Sequence, residues 1–381
     1  YGRYVRKELM MKKGVVCLVV IMLAVAWVAP VGAVEWSQNE AALTWLRGQQ
    51  EADGGFSSGF SEGSDYGATV EVILAVVAAG KDVSQWVSSE GASPLDYVAA
   101  QVASGQVTNA DGFSKAIFVA VATGQDPRNF GGRDLVAALE ALRDPDSQML
   151  GTTLFGHAYA MLALHNAGVP LSEMSVGILT SQVTEDGGWA LFGGTTPGTA
   201  DTNTTALAMQ ALIAAGKPGA AAGATSYLRR MQNDDGGFPY QKPSRWGTET
   251  DANSTAVVVQ ALNALGDPMG AWAPDGTDPL GALLALWDEE SGAYLWKSEV
   301  SAANMLATAQ AVQASEGMTF VDLDVVGASR PPAEVDVTAP LLPESGVARH
   351  GTLILVGLLL VTAGGVLRQR REESPGHESP A

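Results

Sequence analysis

The chain of 381 residues is 46% hydrophobic and 17% charged, so it can bury a sizeable core and is not a disordered polymer. Its formal net charge of −19 opposes contact with phosphate backbones, and nucleic acid is therefore not an expected partner. The single cysteine, Cys17, lies in an N-terminal apolar run, which excludes disulfides and thiolate metal sites from the rest of the chain.

Residues 1–33 are interpreted as upstream residues followed by a signal peptide. Lys12 and Lys13 precede an apolar run at 14–29, and small residues at 31–33 form a cleavage site. We therefore expect the mature protein to begin near residue 34 and to be exported.

The region 34–317 contains a repeated pattern. An aromatic residue with Leu, then Gln, then Gly-Gly-Phe occurs at 45–56 and again, with identical spacing, at 227–238. Looser copies lie at 182–189, 111–113 and 292–294, and a sixth is placed near 146–151. Self-similarity at a spacing of this kind is typical of repeat architectures.

Each turn of the pattern is followed by an Ala-rich run that ends at glycine, such as "TALAMQALIAAG" at 205–216 and "TAVVVQALNALG" at 255–266. These runs are apolar on nearly every face, which predicts buried helices, whereas the run before each turn is amphipathic and predicts an outer helix. An open solenoid is the alternative, but a closed ring leaves no apolar end uncapped. We therefore predict an all-α fold, an (α/α)6 toroid of about twelve helices in two concentric rings.

When the buried runs are aligned, the position just before each run is occupied by a residue of a type that commonly caps the start of a helix. That position holds Asp65, Asp201, Asp251 and Ser301, with Asn109 and Thr153 near the corresponding places of the second and third repeats. Asp before an apolar helical run is a common N-cap. These residues are predicted to start the inner helices.

The aromatic-Leu-xxx-Gln-xxx-Gly-Gly-Phe spacing resembles the QW-type repeat of squalene-hopene cyclases, in the prenyltransferase/squalene oxidase repeat family. The helix pairing is similar to the α/α-toroid of protein prenyltransferase β-subunits and of cobalamin carriers. The resemblance covers about residues 36 to 317 and implies a toroid with a central cavity, for which isoprenoids and corrinoids are implied ligands. Because this fold hosts unrelated chemistries, it does not define an activity.

The cyclases carry their general acid in an Asp-x-Asp-Asp-Thr-Ala segment that opens an inner helix. The segments at 251–256 and 201–206 match this pattern, but Asn253 and Asn203 occupy the position of the general acid. An amide has no proton to give to a substrate. We therefore predict a protein that binds a small or lipidic ligand, or a partner, without catalysis. A terpenoid cyclase or prenyltransferase-like enzyme using Asp251 or Asp201 is one alternative, and a structural spacer or adhesion module is another.

The predicted ligand-binding residues lie on the inner rim or on the loops after the turns. They are Asp65, Tyr66, Trp189, Asp201, Asn203, Gln210, Tyr240, Trp246, Asp251, Asn253, Gln260, Asn304 and Gln310. Gln210, Gln260 and Gln310 lie nine residues after 201, 251 and 301, and buried amides need partners, so they form either an internal hydrogen-bond ring or contacts to a ligand. The expected partner is a small or lipidic molecule in the central cavity. No metal and no cofactor are predicted, and a corrinoid would be a ligand.

Residues 318–345 are acidic and contain proline, which predicts an extended stalk. The stalk ends in a motif, Leu342-Pro343-Glu344-Ser345-Gly346, that resembles the Leu-Pro-x-Thr-Gly sorting signal of bacterial surface proteins, with serine in place of threonine. Residues 346–381 combine an apolar run with a basic end, which predicts a transmembrane anchor. Sortase processing and a plain membrane anchor are both compatible with these features, and both predict a location at the cell surface.

Overall fold

A computed structural model of the protein describes residues 32–60, 62–245 and 247–323. The predicted signal peptide, most of the stalk, the sorting motif, the membrane anchor and Trp246 lie outside these ranges. None of the helices formed by the described residues combines the length and the hydropathy that crossing a bilayer requires.

The described residues are mostly helical. In chain order the α-helices are α1 (Gly32–Gly48), α2 (Tyr66–Ala78), α3 (Pro94–Ala103), α4 (Ala110–Ala122), α5 (Leu135–Glu140), α6 (Leu154–Asn166), α7 (Glu173–Ser181), α8 (Thr202–Ala214), α9 (Pro218–Gly223), α10 (Thr225–Met231), α11 (Ala252–Leu265), α12 (Pro279–Leu284) and α13 (Met305–Ser315). Short 3-10 helices span Val83–Gln85 and Met269–Trp272. Two short strands, β1 (Trp287–Asp288) and β2 (Ala293–Tyr294), pair antiparallel around a turn.

Six helices, namely α2, α4, α6, α8, α11 and α13, form a closed inner ring. Each packs against the next in chain order, and the last, α13, packs against the first, α2. The other helices pack outside the ring, and α9 and α10 together occupy one outer position, so thirteen α-helical segments of the described residues fill the twelve predicted positions. The inner helices are buried all around, as their apolar sequences predict.

All six inner helices begin at a side-chain N-cap that accepts the backbone N–H three residues later. The caps are Asp65, Asn109, Thr153, Asp201, Asp251 and Asn304. The last cap differs from the alignment, which placed Ser301 there. Leu295 pairs with Ala303 in an isolated bridge, so the chain stays extended for three more residues and Ser301 is exposed before the helix.

The repeated turn is a hydrogen-bonded corner between an outer and an inner helix. Gln232 Nε2 donates to the carbonyl oxygens of Gly236 and Trp272, at 2.8 and 2.6 Å, and Gln50 makes the equivalent bonds in the first repeat. The aromatic residue of the turn donates its backbone N–H to a threonine of the inner helix, as Phe238 does to Thr255 Oγ1 at 3.0 Å. The turn therefore joins an outer and an inner helix through its own hydrogen bonds.

The second and third repeats depart from this corner. Asp111-Gly112-Phe113, identified above as a looser copy of the turn, forms the first turn of α4, because Asn109 caps that helix directly before it. In the third repeat His157 takes the threonine position, and its Nδ1 accepts the N–H of Leu150 at 3.0 Å. Burial lowers the pKa of His157, in keeping with a neutral ring that serves the corner.

Candidate functional site

The residues two, six and nine positions after each N-cap face the axis of the inner ring. These spacings place them on one face of each helix. The three layers are a mouth layer of Gly67, Asp111, Phe155, Asn203, Asn253 and Leu306, a middle layer of Glu71, Lys115, Tyr159, Leu207, Val257 and Gln310, and a floor layer of Leu74, Phe118, Leu162, Gln210, Gln260 and Gln313. Contacts between the inner helices use this face, such as the bond from Asn253 Nδ2 to Gln310 Oε1 at 2.7 Å.

The floor is closed by the chain itself. Phe320 packs against both the floor and the middle layer, with its ring centroid 5.1 Å from that of Phe118 in the floor layer and 5.4 Å from that of Tyr159 in the middle layer. Its backbone N–H donates to Gln210 Oε1 at 2.8 Å, and its carbonyl oxygen accepts from Asn166 Nδ2 at 2.8 Å. The first residues of the predicted stalk, up to residue 323, therefore pack against the toroid.

The floor-layer amides form a relay between helices. Gln260 Nε2 donates to Gln313 Oε1 at 3.4 Å, and Gln313 Nε2 donates to the carbonyl oxygen and to Oε2 of Glu71, at 2.9 and 3.0 Å. Gln313 thus holds the place that the alignment gave to Gln310, since the last helix starts three residues later. Among the described residues Gln210 Nε2 has no hydrogen-bond partner.

Exposure falls from the mouth to the floor. In the mouth layer Asp111 is exposed, and Phe155, Asn203 and Asn253 are partly exposed. The floor-layer residues Gln210, Gln260 and Gln313 are 0%, 3% and 0% exposed. Solvent thus reaches the axis from the end where the inner helices begin.

Four of the predicted site residues make contacts within the fold. Asp65 and Asn304 are N-caps, and the Tyr66 hydroxyl donates to the carbonyl oxygen of Gly112 at 2.8 Å. Trp189 is 1% exposed and its Nε1 donates to the carbonyl oxygen of Leu179 at 2.8 Å, so its ring is a wedge in the core.

Asp201 and Asp251 are buried carboxyls beside the mouth. Each caps its helix, with Oδ1 accepting the N–H of Thr204 at 2.7 Å and of Ser254 at 2.8 Å. Burial raises the pKa of each carboxyl to about 6, although these hydrogen bonds act in the opposite direction. Burial, followed by the adjacent Asp201 carboxyl, also raises the pKa of Tyr240.

The two amides of the cyclase-like segments are the least satisfied groups of the mouth layer. Asn203 Oδ1 and Asn253 Oδ1 are buried oxygens that have no hydrogen-bond partner among the described residues. A buried polar atom of this kind is costly unless a further donor reaches it. The two carbonyl oxygens can accept hydrogen bonds from a molecule on the axis.

Three charged residues of the axis were not identified from the sequence. Glu71 and Lys115 are only 6% and 8% exposed, and Asp111 lies one helical turn before Lys115. Although Asp111 is exposed at the mouth, the surrounding protein partly desolvates its carboxyl and raises its pKa, and the Lys115 charge partly offsets this effect. A Cβ on Gly156 would lie 2.5 Å from Asp111 Oδ1, so the carboxylate packs on the first turn of α6. The available signal was a charged residue inside an otherwise apolar helical run, as in "TVEVILAVVAAG" at 69–80.

The arrangement suits binding by hydrogen bonds and charge. Among the described residues there is no group of three or more His, Cys, Asp or Glu side chains placed to hold a metal ion. The axis instead combines amides, one lysine, two carboxylates and the stacked rings of Phe155 and Tyr159, whose centroids are 5.7 Å apart.

Comparisons with known proteins support the architecture. The structure is similar to an unsaturated glucuronyl hydrolase from Bacillus sp. GL1, with a TM-score of 0.53 at 11% identity, covering 73% of this chain and 95% of that one. It is also similar to the type II terpene cyclase MstE from Scytonema, with a TM-score of 0.50 at 13% identity over 75% of this chain and 96% of that one. A glycosidase matches with a TM-score of 0.50 at 14% identity over 76% and 96% of the two chains.

No protein-family model and no curated protein matches the chain. The likeness to these solved structures, at such low identities, concerns the fold alone. It confirms the α/α-toroid that the sequence repeats predict.

Proposed function

We propose that this protein binds a small or lipidic molecule on the axis of the toroid and does not transform it. The observation that carries the proposal is the gradient along the axis, from partly exposed mouth residues, including Asn203 and Asn253 with their buried, unpartnered carbonyl oxygens, to a buried floor where Phe320 packs. A concave, mostly apolar surface with a few converging polar groups is the usual form of a ligand site.

The absence of catalysis is proposed from the residues at the mouth. Asn203 and Asn253 stand where the resembled cyclases carry their acid, and amides do not protonate an alkene. The oxygens of Asp201 and Asp251 that accept helix N–H groups are committed to capping.

An enzyme is the second candidate, and one observation favours it. The pKa values of Asp201 and Asp251, raised by burial to about 6, lie in the range that suits a general acid near neutral pH. If the protein is an enzyme of the resembled kind, incubation with squalene or prenyl diphosphates yields a product, and Asp251→Asn abolishes this product although the variant stays folded.

We also propose that the toroid is displayed at the cell surface. The predicted signal peptide, sorting motif and C-terminal anchor are the basis of this proposal, with sortase or the membrane as the means of attachment. Protease added to intact cells should digest the toroid, and complete protection in cells without a thick wall would count against surface display.

Binding is tested by native mass spectrometry of the full chain, looking for a retained small molecule. Asn253→Trp places a large ring in the mouth layer and should abolish retention. Asn263→Trp is the matched control, because Asn263 lies on the same helix, α11, with the same partial exposure but near its other end. Equal retention by both variants would contradict an axial site. If the wild type neither retains a molecule nor binds an added one, the proposed function is wrong.

A further inference from the structure

Lys115 is a mostly buried cation whose charged neighbour on the same helix face is Asp111. It is 8% exposed, it lies in the middle layer of the axis, and among the described residues its Nζ makes no hydrogen bond and no ion pair. An ammonium on a mostly buried side chain is stabilised by an anion or by several acceptors. Since Lys115 faces the same axis as the unpartnered amides, a ligand bound there can supply the missing acceptor.

On the basis of the proposed function, we infer that the ligand is a hydroxylated monocarboxylate whose carboxylate is bound by Lys115. The restriction to one negative charge follows from the neighbours of the lysine. Asp111 lies on the same helix face and Glu71 lies in the same layer on α2, the adjacent helix. Because the repulsion from these two carboxylates grows with the charge of the ligand, a dianion such as a phosphate monoester is disfavoured relative to a monoanion.

Glu71 is already engaged within the protein. Its Oε2 accepts a hydrogen bond from Gln313 Nε2 at 3.0 Å, so this carboxylate is held by the floor relay and does not pair with Lys115. Asp111 is the other carboxyl that acts on Lys115, because the lysine charge lowers its pKa, but the two side chains form no ion pair. The lysine can therefore also bind an acceptor that comes from outside the fold.

The opposite wall defines the rest of the ligand. The ring order places α11 across from α4, so Asn253 lies on the far side of the axis from Lys115, with Asn203 on the adjoining helix α8. Their free carbonyl oxygens need donors, which hydroxyl groups provide. Phe155 on α6, between α4 and α8, is partly exposed and stacks on the buried Tyr159, so it offers an aromatic face to the apolar side of such a molecule.

The test measures binding of three probes to the full chain by titration calorimetry. Gluconate is a hydroxylated monocarboxylate, glucitol is its uncharged counterpart, and glucose 6-phosphate carries a dianionic group. We expect gluconate to bind at least about tenfold more tightly than glucitol, since a charge-assisted hydrogen bond is about twice as strong as a neutral one. Glucose 6-phosphate should bind more weakly than gluconate.

The key variant is Lys115→Met, which keeps the aliphatic stem and removes the charge. It should lower the affinity for gluconate to that for glucitol or below it, because Asp111 and Glu71 then repel the carboxylate, and it should leave glucitol binding unchanged. Lys217→Met is the matched control, because Lys217 is exposed and pairs with Glu173 on the outer surface, and it should change neither affinity. Lys115→Gln, with its thermal midpoint, serves as a second variant if the methionine variant fails to fold.

The outcomes separate this inference from the proposed function. If gluconate and glucitol bind equally, or if Lys115→Met leaves gluconate binding unchanged, the carboxylate assignment is wrong although axial binding stands. Tighter binding of glucose 6-phosphate overturns the restriction to a single charge. If no probe binds but the wild type and Lys115→Met retain the same molecule in native mass spectrometry, the role of Lys115 is wrong. If nothing binds and nothing is retained, both proposals fail.

Discussion

Asp201 and Asp251 combine a stabilising and a destabilising contribution in one side chain. As N-caps they satisfy a helix N–H, which stabilises the start of an inner helix by about 1 kcal/mol. The two carboxyls are 2% and 4% exposed, so their ionised forms lack the hydration that they have in the unfolded chain. Asparagine caps a helix about as well as aspartate does, so a single substitution separates the two contributions.

Asp251→Asn should stabilise the protein at neutral pH and not at pH 4. The folded-state pKa of Asp251 is raised from 3.8 to about 6, so the folded state binds this proton more tightly, and its contribution to the unfolding free energy falls as pH rises from about 4 to about 6. The difference in unfolding free energy between the variant and the wild type should therefore rise by on the order of 2–3 kcal/mol from pH 4 to pH 7, in favour of the variant. Chemical denaturation across this range measures the difference, and a difference that does not change with pH would rule out the burial effect.

At the scale of the elements, the corner between an outer and an inner helix depends on a glycine for two separate reasons. Gly236 has φ +87°, and a Cβ there would collide with the carbonyl oxygen of Thr277 in the loop before α12. Gly187, in an equivalent turn, has φ +88° but no atom within 4 Å of its Cβ position. The two glycines thus separate backbone conformation from close approach.

Gly187→Ala should lower the unfolding free energy by about 1–2 kcal/mol, the cost of a left-handed conformation for a residue with a Cβ. Gly236→Ala should cost at least about 1 kcal/mol more, because the loop carrying Thr277 must also move. Denaturant titration of the two variants side by side gives both values. Equal losses would mean that the loop before α12 yields freely and that only backbone conformation matters at this corner.

The elements were predictable where local chemistry defines them. The motif at 227–238 indicated the helix pair, and Asp65 and Asp251 indicated helix starts, because caps and tight turns depend on residues close in sequence. The cap of α13 was not predictable, since the strands and the extended loop that precede Asn304 shift it by three residues. The axial role of Lys115 was also hidden, because a helix that is apolar all around does not reveal which face points to the axis.

On the scale of the whole molecule, the ring closes where its first and last inner helices meet. Gln313 on α13 makes this joint polar, since it accepts from Gln260 of α11 and donates to Glu71 of α2. The joint links residues 242 positions apart in the chain. An open array of the same helices would have two free ends, whereas a closed ring has none.

Gln313→Ala should therefore destabilise the whole ring. It leaves the Glu71 carboxylate, which is 6% exposed, without its Nε2 donor and removes the acceptor of Gln260, so we expect a loss of about 2–4 kcal/mol in the unfolding free energy. Gln310→Ala is the control on the same helix, because it loses one bond, to the partly exposed Asn253, and should cost about 1 kcal/mol. Hydrogen exchange then reports how the loss is distributed. If α2 and α13 lose amide protection together, the ring is one cooperative unit; if α13 alone loses protection while α2 keeps it, the closure contributes no cooperativity and the toroid behaves as a linear stack of helix pairs.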